Sequence, residues 1–383
     1  MLLDVERVGH GGVCVAHAPD GRVVFVRHAL PGEQVRVQVT EERRSYLRAD
    51  AIEVLRPAPA RVTPPCPWAG PGRCGGCDWQ HVELAEQRRL KASVVQEQLR
   101  RLAGVDREVE VEPVGGDVDG LGWRTRVRFA VDGEGRAGLR RHRSHEVEPI
   151  GDCLIAHPAI DARAVVAADW TGYDTVEVEV TSAGDRAIEA APAHRVAGPP
   201  PTVAETVDGR TWQLPVGGFW QVHPGAVRTL RAAVDDLTRV TDGEKCLDLY
   251  AGVGVFADVL AARSPSTTVI AVESDAAAAA AGAAALPHVT FVPARVERWM
   301  GRHDGRVDVV VLDPPRKGAG AAVVTAIVAR APRAVCYVAC DPAALARDVG
   351  GFAATGYALT ELRAYDLFPM TAHVECVALL ERR

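Results

Sequence analysis

The stretch Lys245-Cys-Leu-Asp-Leu-Tyr-Ala-Gly-Val-Gly254 carries the clearest fold signal in this chain. Its first five residues are mostly apolar, as in a strand buried within a sheet, and a helical segment follows at residues 256–262. Glycines between a strand and a helix let the backbone approach a ligand closely at the helix N-terminus. The stretch therefore predicts the first strand, ligand loop and helix of a nucleotide-binding α/β domain, with Gly252 in the loop.

The sequence downstream repeats this alternation of strand and helix. Four further stretches are apolar enough to be buried strands, at residues 268–272, 307–312, 334–338 and 374–380. The alanine-rich tract Ala276–Ala285 is interpreted as a helix between strands, because alanine is the strongest helix former. We therefore predict an α/β fold, a doubly wound Rossmann-like sheet, for residues 202–383.

Two carboxylates at predicted strand ends indicate which ligand this sheet binds. Glu273 ends the second strand, where it could bind ribose hydroxyls, and Asp313 ends a later strand in the turn Asp313-Pro-Pro-Arg316. A dinucleotide site would use the same geometry. Asp248 before the glycines and the Asp-Pro-Pro turn instead resemble S-adenosylmethionine-dependent methyltransferases, so a methyl donor is the favoured ligand.

Short strands broken by turns are typical of residues 1–56. The turns Gly9-His-Gly-Gly12, Pro19-Asp-Gly21 and Pro31-Gly32 separate strand-like stretches. The pattern predicts a small β-barrel, with Cys14 as a buried residue of its first strand. Such barrels often bind oligonucleotides but also serve as inert adaptors.

Residues 57–201 are predicted to form a small α+β central domain. A proline-rich connector leads into it, and a helix is expected over residues 82–102, ending at Gly104. Residues 121–182 have strand character, whereas residues 183–201 are interpreted as a loop that leads to the α/β domain. The chain is thus predicted to contain three domains.

Composition excludes several protein classes. The 383 residues are 48% hydrophobic and 25% charged, which is ordinary for a globular protein and unlike a disordered one. No apolar run approaches the ~20 residues that span a bilayer, and the N-terminus does not resemble an export signal. We therefore expect a cytoplasmic protein without a membrane partner, and a monomer.

Four cysteines form a candidate metal site. The chain has nine cysteines, and without an export signal they favour thiol or metal chemistry over disulfides. Cys66, Cys74, Cys77 and the distant Cys153 supply four soft ligands, which suit a tetrahedral zinc ion or a 4Fe-4S cluster. Their spacing alone does not separate these two alternatives.

A local excess of arginine contrasts with the formal net charge of −6 for the whole chain. Residues 121–145 contain seven arginines against Asp132 and Glu134, a net charge of +5. Such a segment could bind RNA phosphates, or it could be a solvated pair of strands. Charge alone leaves both interpretations open.

Several motifs together resemble the RNA (uracil-C5)-methyltransferase family. They match in order and spacing over the C-terminal half, and they are Phe219-Trp-Gln221, Asp248-Leu-Tyr250, Asp313-Pro-Pro-Arg316, Cys340-Asp-Pro342 with Leu345-Ala-Arg-Asp348, and Phe368-Pro-Met-Thr-Ala-His-Val-Glu375. Two positions depart from the family pattern: Ala251 stands where a cysteine is usual, and His223 where an asparagine is usual. Neither position is the nucleophile.

The resemblance implies roles for individual residues. Cys340 would add to uracil C6, which makes C5 nucleophilic, and Glu375 would remove the C5 proton. S-adenosylmethionine would be held by Gln221, Tyr250, Glu273 and Asp313. Charge on the ring oxygen would need a donor, for which Arg316 or Arg347 is a candidate. Without the resemblance, Cys340 could be a small buried core residue, as we expect for Cys246, Cys336 and Cys376.

Outside the catalytic domain the resemblance implies a TRAM-type barrel and an iron-sulfur cluster. Family members with that barrel carry the cluster on a similar cysteine set, so a 4Fe-4S cluster is favoured over zinc. The substrate would be a uridine flipped out of structured RNA. Barrel plus cluster look most like enzymes acting on 23S ribosomal RNA, with transfer RNA as the alternative. Two other hypotheses are methylation of an amine in a base or protein, and a non-catalytic RNA-binding assembly factor.

Overall fold

The computed structural model describes residues 1–116, 119–192 and 202–383. The N-terminal region forms a six-stranded sheet. Its strands are β1 (Leu2–Asp4), β2 (Arg7–Val8), β3 (Cys14–His17), β4 (Val23–Arg27), β5 (Gln34–Glu42) and β6 (Tyr46–Arg56). A single 3₁₀ turn, His10–Gly12, connects β2 to β3.

This N-terminal sheet curls into the predicted small barrel. Its strand order is β1-β5-β6-β4-β3-β2. The strands at the two ends of this order, β1 and β2, follow each other directly in the chain, so the sheet closes on itself. Side chains along each strand point alternately into the barrel and out to solvent, as in β5, where Val35 and Val37 are buried while Arg36 is exposed. Cys14 is buried as predicted, although its strand is the third of the barrel and not the first.

The described residues of the central region contain two α-helices and six strands. They are α1 (Leu84–Gln98), β7 (Val111–Pro113), β8 (Arg126–Val131), β9 (Ala137–Arg140), β10 (Val147–Glu148), α2 (Ala162–Ala167), β11 (Tyr173–Val180) and β12 (Arg186–Pro192). The sheet has the order β10-β9-β8-β11-β12, with antiparallel neighbours. The helix prediction is confirmed, since α1 continues as a π-helical turn that ends at Gly104, whose φ is 65°.

The prediction of a loop over residues 183–201 is wrong at β12. This strand pairs with β11 in an antiparallel register that places Ile188 opposite Val178. The strand was not predicted because it contains alanine and proline, which have low strand propensity. It forms because the partner strand β11 supplies its hydrogen bonds. Residues 183–185 lie in the turn between β11 and β12, and residues 193–201, including Gly198-Pro-Pro-Pro201, lie outside the described residues.

The C-terminal region alternates strands and helices as predicted. Its elements are β13 (Thr202–Val207), β14 (Arg210–Pro215), α3 (Ala226–Thr238), β15 (Lys245–Leu249), α4 (Val255–Ala262), β16 (Thr268–Glu273), α5 (Ala276–Ala285), β17 (Thr290–Pro293), α6 (Val296–Met300), β18 (Val309–Leu312), α7 (Ala321–Ala329), β19 (Ala334–Ala339), α8 (Pro342–Ala353), β20 (Tyr357–Asp366) and β21 (Glu375–Arg382). The predicted alanine helix is α5, with the same bounds.

The main sheet has the order β17-β16-β15-β18-β19-β21-β20-β7. The strands from β17 to β19 are parallel, and β21 runs antiparallel between β19 and β20. The five predicted strands are confirmed as β15, β16, β18, β19 and β21. Because the sheet is buried on both faces, every residue of β18 is apolar and inaccessible to solvent. The hairpin β13–β14 and strands β17 and β20 were not predicted.

Part of the central region completes this sheet. Strand β7 pairs in parallel with β20, and α1 packs into the same core as α8 through Val95 and Leu99. The loops that follow the parallel strands therefore lie beside the central region. The division into three domains remains a prediction. Among the described residues, no helix is both long and apolar enough to cross a bilayer.

Candidate active site

A cavity of about 1280 Å³ lies where the parallel strands of the main sheet end. Ligands of open α/β sheets bind at the carboxyl ends of the strands, so this is the expected place for a site. All the catalytic and cofactor residues predicted from the sequence line this cavity: Gln221, Tyr250, Gly252, Glu273, Asp313, Cys340 and Glu375. The fold thus brings together groups from chain segments that are far apart in sequence.

The glycine loop after β15 orients Glu273. Its Oε2 accepts a hydrogen bond from Gly252 N at 2.8 Å, and its Oε1 accepts one from Asp275 N at 2.7 Å. The loop itself requires glycine at Gly254, which has a φ of 83°, because a Cβ there would lie 2.5 Å from the Phe291 ring. A fixed carboxylate beside a glycine loop is suited to bind ribose hydroxyls of a nucleoside.

Asp248 supports the loop from within the fold. Its Oδ2 accepts a hydrogen bond from Ala257 N at 2.8 Å and so fixes the start of α4. Complete burial raises the pKa of Asp248 to about 8. Its Oδ1 has no hydrogen-bond partner among the described residues. Asp248 therefore shapes the ligand loop without contacting solvent.

Aromatic and polar side chains complete the ligand wall. Phe219 is 68% exposed although it is large and apolar. Tyr250 adopts a left-handed φ of 60°, and its buried hydroxyl has no hydrogen-bond partner within the described part of the chain. An exposed ring and an unsatisfied hydroxyl in one cavity are features of a surface that a ligand completes. These residues fit a nucleoside-bearing methyl donor.

Cys340 follows β19 directly and is partly buried. The next residue, Asp341, caps α8 by accepting a hydrogen bond from Ala344 N at 2.8 Å. Burial and the nearby carboxyl groups of Glu375 and Asp313 raise the pKa of the Cys340 thiol to about 12, while Arg316 opposes the shift. The thiol is therefore neutral at neutral pH in the free protein, and it needs a proton acceptor to become a nucleophile.

Glu375 is the first residue of β21 and is only 2% exposed. Burial, together with the charge of Asp313, raises its pKa well above the ordinary value for glutamate. Burial also raises the pKa of Asp313, to about 7. Two carboxyl groups of raised pKa, one buried and one half-buried, thus line the same cavity. A carboxyl group of raised pKa is suited to accept a proton from carbon.

Only one of the two candidate arginines lies at the cavity. Arg316 lines it, with its Nη2 3.3 Å from His373 Nε2. Arg347 instead bonds to the Asp348 side chain and to the Lys317 carbonyl. Of these two candidates, Arg316 is therefore the one that the fold places at the cavity.

Two buried polar residues of α1 hold the loop that precedes Glu375. Lys91 Nζ donates to Asp366 Oδ1 at 2.5 Å and to the Phe368 carbonyl at 3.0 Å. One helical turn earlier, Gln87 Oε1 accepts from Met370 N at 2.8 Å. Neither residue was predicted from the sequence. Their only local signal is that two polar residues four positions apart lie on the buried face of α1.

All four cysteines proposed as metal ligands line a second cavity, of about 420 Å³. They are Cys66, Cys74, Cys77 and Cys153. Within the described ranges, no three His, Cys, Asp or Glu side chains converge closely enough to hold one metal ion. A cluster differs from a single zinc ion because its cysteines bind separate iron atoms. The fold thus gathers the four thiols around one cavity without drawing them onto a single point.

The cysteine cavity adjoins the larger one. Gly75, Gly76, Arg124 and His142 line both. A Cβ at Gly75 would lie 2.6 Å from the His142 backbone nitrogen, so only glycine allows this close approach. The Cys74–Cys77 loop therefore forms part of the wall of the candidate active site.

The arginine-rich segment is partly neutralised by carboxylates that the sequence count did not include. Its ion pairs with these carboxylates include Arg128 with Glu177 at 2.5 Å, and Arg141 with Glu148 at 2.9 Å and with Glu146 at 2.7 Å. Arg124 and Arg126 line the main cavity, and Arg140 and Arg143 are exposed. Contact of this segment with RNA remains a prediction.

Comparison with solved structures finds this architecture over the whole chain. The crystal structure of Pyrococcus abyssi tRNA (uracil-54, C5)-methyltransferase in complex with S-adenosyl-L-homocysteine matches with a TM-score of 0.76 and 22% identity. The match covers 99% of this chain and 100% of that one. At this identity the match establishes the fold. The shared class is a small N-terminal barrel followed by an α/β sheet with an open site at its strand ends.

Family profiles and relatives narrow the class. The TRAM domain profile matches residues 1–52, the methyltransferase small domain profile residues 230–336, and the tRNA (uracil-5-)-methyltransferase profile residues 300–383. An uncharacterized RNA methyltransferase of Streptomyces avermitilis is 46% identical, over 99% of this chain and 97% of its own. One of Streptomyces coelicolor is 47% identical, over 99% and 92%. The chain belongs to the RNA (uracil-5-)-methyltransferase family and is an S-adenosylmethionine-dependent RNA methyltransferase.

Proposed function

We propose that this enzyme methylates C5 of a uridine in structured RNA to give 5-methyluridine, through a covalent enzyme–RNA adduct. The observation that carries the proposal is that Cys340 and Glu375 line the same cavity as the nucleoside loop at Gly252. Methylation of an amine would need no thiol, and a non-catalytic assembly factor would need neither Cys340 nor Glu375.

The residues divide the reaction among them. Cys340 loses its thiol proton to a neighbouring carboxylate, for which Asp313 is the candidate, as its Sγ bonds to uracil C6, and Arg316 stabilises the charge that develops on the ring oxygen. Held by Gln221, Tyr250, Glu273 and Asp313, S-adenosylmethionine would give its methyl group to C5 and leave as S-adenosylhomocysteine. Glu375 then removes the C5 proton, and the electron pair of that C–H bond expels Cys340 from C6.

We propose 23S ribosomal RNA as the substrate. Support comes from the combination of a TRAM barrel with four cysteines in one cavity. Transfer RNA is the second candidate, and the full-length fold match to a tRNA (uracil-54, C5)-methyltransferase favours it. In either RNA the target base must leave its stack to reach Cys340.

Incubation of the purified protein with labelled S-adenosylmethionine and unmodified ribosomal and transfer RNA tests both proposals. We expect label in 5-methyluridine of the 23S fraction, and none with the Cys340→Ala variant. Label in transfer RNA alone would show that transfer RNA, and not 23S ribosomal RNA, is the substrate. Label in another nucleoside, or no label despite bound donor, would refute uracil methylation.

We further propose that the four cysteines hold a 4Fe-4S cluster. The cavity offers four thiols and is bordered by Arg124, Arg140 and Arg143, which lie outside the ion pairs described above and whose positive charge suits an anionic thiolate cluster. Gln80 Nε2, 3.4 Å from Cys77 Sγ, can donate a hydrogen bond to a cluster ligand. Anaerobically purified protein should contain iron and acid-labile sulfide in equal amounts. Stoichiometric zinc without sulfide would replace the proposal with its alternative.

The cytoplasmic location and the monomeric state of this enzyme remain predictions. A role in RNA modification is consistent with the cytoplasmic location. Size-exclusion chromatography with light scattering tests the monomeric state, and a mass twice that of one chain would refute it.

A further inference from the structure

The segment that follows Cys77 lies against the loop that carries the proposed base. The backbone N–H groups of Asp78 and Trp79 both donate to the Met370 carbonyl, each at 3.0 Å. Met370 adopts a left-handed φ of 64°, which is unfavourable for a residue with a side chain and persists only where the surroundings enforce it. The two hydrogen bonds supply part of that constraint.

A side chain adds a third bond closer to the base. Asp78 Oδ2 accepts a hydrogen bond from Ala372 N at 3.1 Å, three residues before Glu375. Hydrogen bonds to a carboxylate are stronger than those between neutral groups. Because β21 begins at Glu375, the loop that ends there sets where the carboxyl group enters the cavity.

The N-terminal barrel packs against this contact. Trp79 Nε1 donates to the Gly12 carbonyl at 3.1 Å. A Cβ at Gly12 would lie 2.3 Å from Ala372 Cβ, so the barrel backbone packs directly on the loop. Asp78 therefore lies at a junction of the barrel, the cysteine loop and the base loop.

We propose that Asp78 is a positioning residue for Glu375, and that through it the Cys74–Cys77 loop holds the base in place for proton removal. The proposal rests on the uracil-C5 methylation proposed above. Asp78 also lines the active-site cavity, but an anionic side chain would repel RNA phosphates, so a direct role in RNA binding is disfavoured. Its acceptor function toward Ala372 N is the role that its contacts support.

The test compares two RNA probes with Asp78→Ala and Asp78→Asn. The probes are 23S transcripts made with uridine or with 5-fluorouridine. Fluorine replaces the proton that Glu375 removes, so the adduct with fluorinated RNA persists whatever the base does. Its formation therefore measures Cys340 attack and methyl transfer, whereas release of 5-methyluridine from the uridine transcript measures proton removal. The amide side chain of the Asp78→Asn variant keeps a carbonyl oxygen that can accept from Ala372 N.

For Asp78→Ala we expect adduct formation with fluorinated RNA within about twofold of wild type. Release of 5-methyluridine should be about 10- to 100-fold slower, with adduct accumulating on the uridine transcript, because a small displacement of a catalytic group has effects of this size. Asp78→Asn should restore release to within a few-fold of wild type. Asp78→Ser, whose shorter side chain also loses the bond, provides the same comparison if the alanine variant does not fold.

Equal slowing of both steps by Asp78→Ala would overturn the positioning role, as would wild-type release or a failure of Asp78→Asn to restore it. If wild-type protein formed an adduct with neither fluorinated 23S RNA nor fluorinated transfer RNA, the methylation mechanism itself would be refuted. The two failures are therefore distinguishable.

Discussion

Cys340 is the residue on which the proposed chemistry depends most directly. We expect Cys340→Ala to abolish turnover, because the proposed bond to uracil C6 needs its thiol, while donor binding measured by calorimetry stays within about twofold. Cys246→Ala is the matched control, since Cys246 lies in the core of the same sheet and should retain turnover. Loss of donor binding in Cys340→Ala would show that the thiol packs the cofactor site instead.

Glu375 is expected to act after the methyl group has been transferred. In Glu375→Gln, attack and methyl transfer should proceed while proton removal stalls, so a covalent protein–RNA adduct should accumulate and turnover should fall about 100-fold or more. Denaturing electrophoresis with labelled RNA detects the adduct. Normal product release by this variant would remove Glu375 from the base role.

At the scale of elements, the junction between β15 and α4 contains an unfavourable buried acid. The folded-state pKa of Asp248 is about 8, far above the ordinary 3.8, so between these pH values the folded state binds more protons than the unfolded state. Stability conferred by the protonated group is therefore present at pH 4 and is lost as pH rises to about 8. Asp313, with a pKa of about 7, acts in the same direction.

Asp248→Asn should remove this pH penalty and keep an acceptor for Ala257 N. We expect the thermal midpoint of the cofactor-free protein to be near wild type at pH 5 and at least about 2–4 °C higher at pH 8. The control Asp258→Asn removes a carboxylate of α4 that pairs with Arg231 of α3 at 2.8 Å, so it should lower the midpoint at both pH values. A lower midpoint for Asp248→Asn at pH 8 would contradict the assignment.

At the scale of the whole molecule, the N-terminal barrel contacts the nucleophile loop as well as the base loop. His10 Nε2 lies 3.3 Å from Asp341 Oδ2, and this contact raises the pKa of His10. Both side chains are partly exposed, and such pairs contribute at most about 1 kcal/mol. The barrel is therefore coupled weakly but directly to the residue beside Cys340.

His10→Ala should slow adduct formation with 5-fluorouridine RNA a few-fold, because the loop that carries Cys340 loses one anchor. His10→Gln, which can donate to Asp341, should recover most of the rate. His17→Ala is the control on the same barrel, because His17 pairs only with the exposed Glu6 in the described contacts. Unchanged adduct formation in His10→Ala would mean that the barrel does not influence the nucleophile.

Local sequence by itself determined most of the central strands and helices of the catalytic half, and it predicted the residues of the candidate site. The strand, loop and helix of residues 245–262 and the bounds of α5 follow from contiguous patterns of burial, glycine and alanine, which a single segment displays by itself. Glu273 and Asp313 were predicted from their places at strand ends, and Cys340 and Glu375 from motifs that resemble those of a known family. All of them line the cavity.

Only the tertiary structure decided how that site is held. Lys91 and Asp366 are 275 residues apart, and Asp78 and Ala372 are 294 apart, so no local pattern links either pair. Edge strands β7 and β12 exist because a partner strand supplies their hydrogen bonds, against a weak propensity of their own. The raised pKa values of Asp248, Cys340 and Glu375 likewise arise from burial and from neighbours that folding brings together. Residue types carry the chemistry, whereas long-range contacts set its geometry and its protonation.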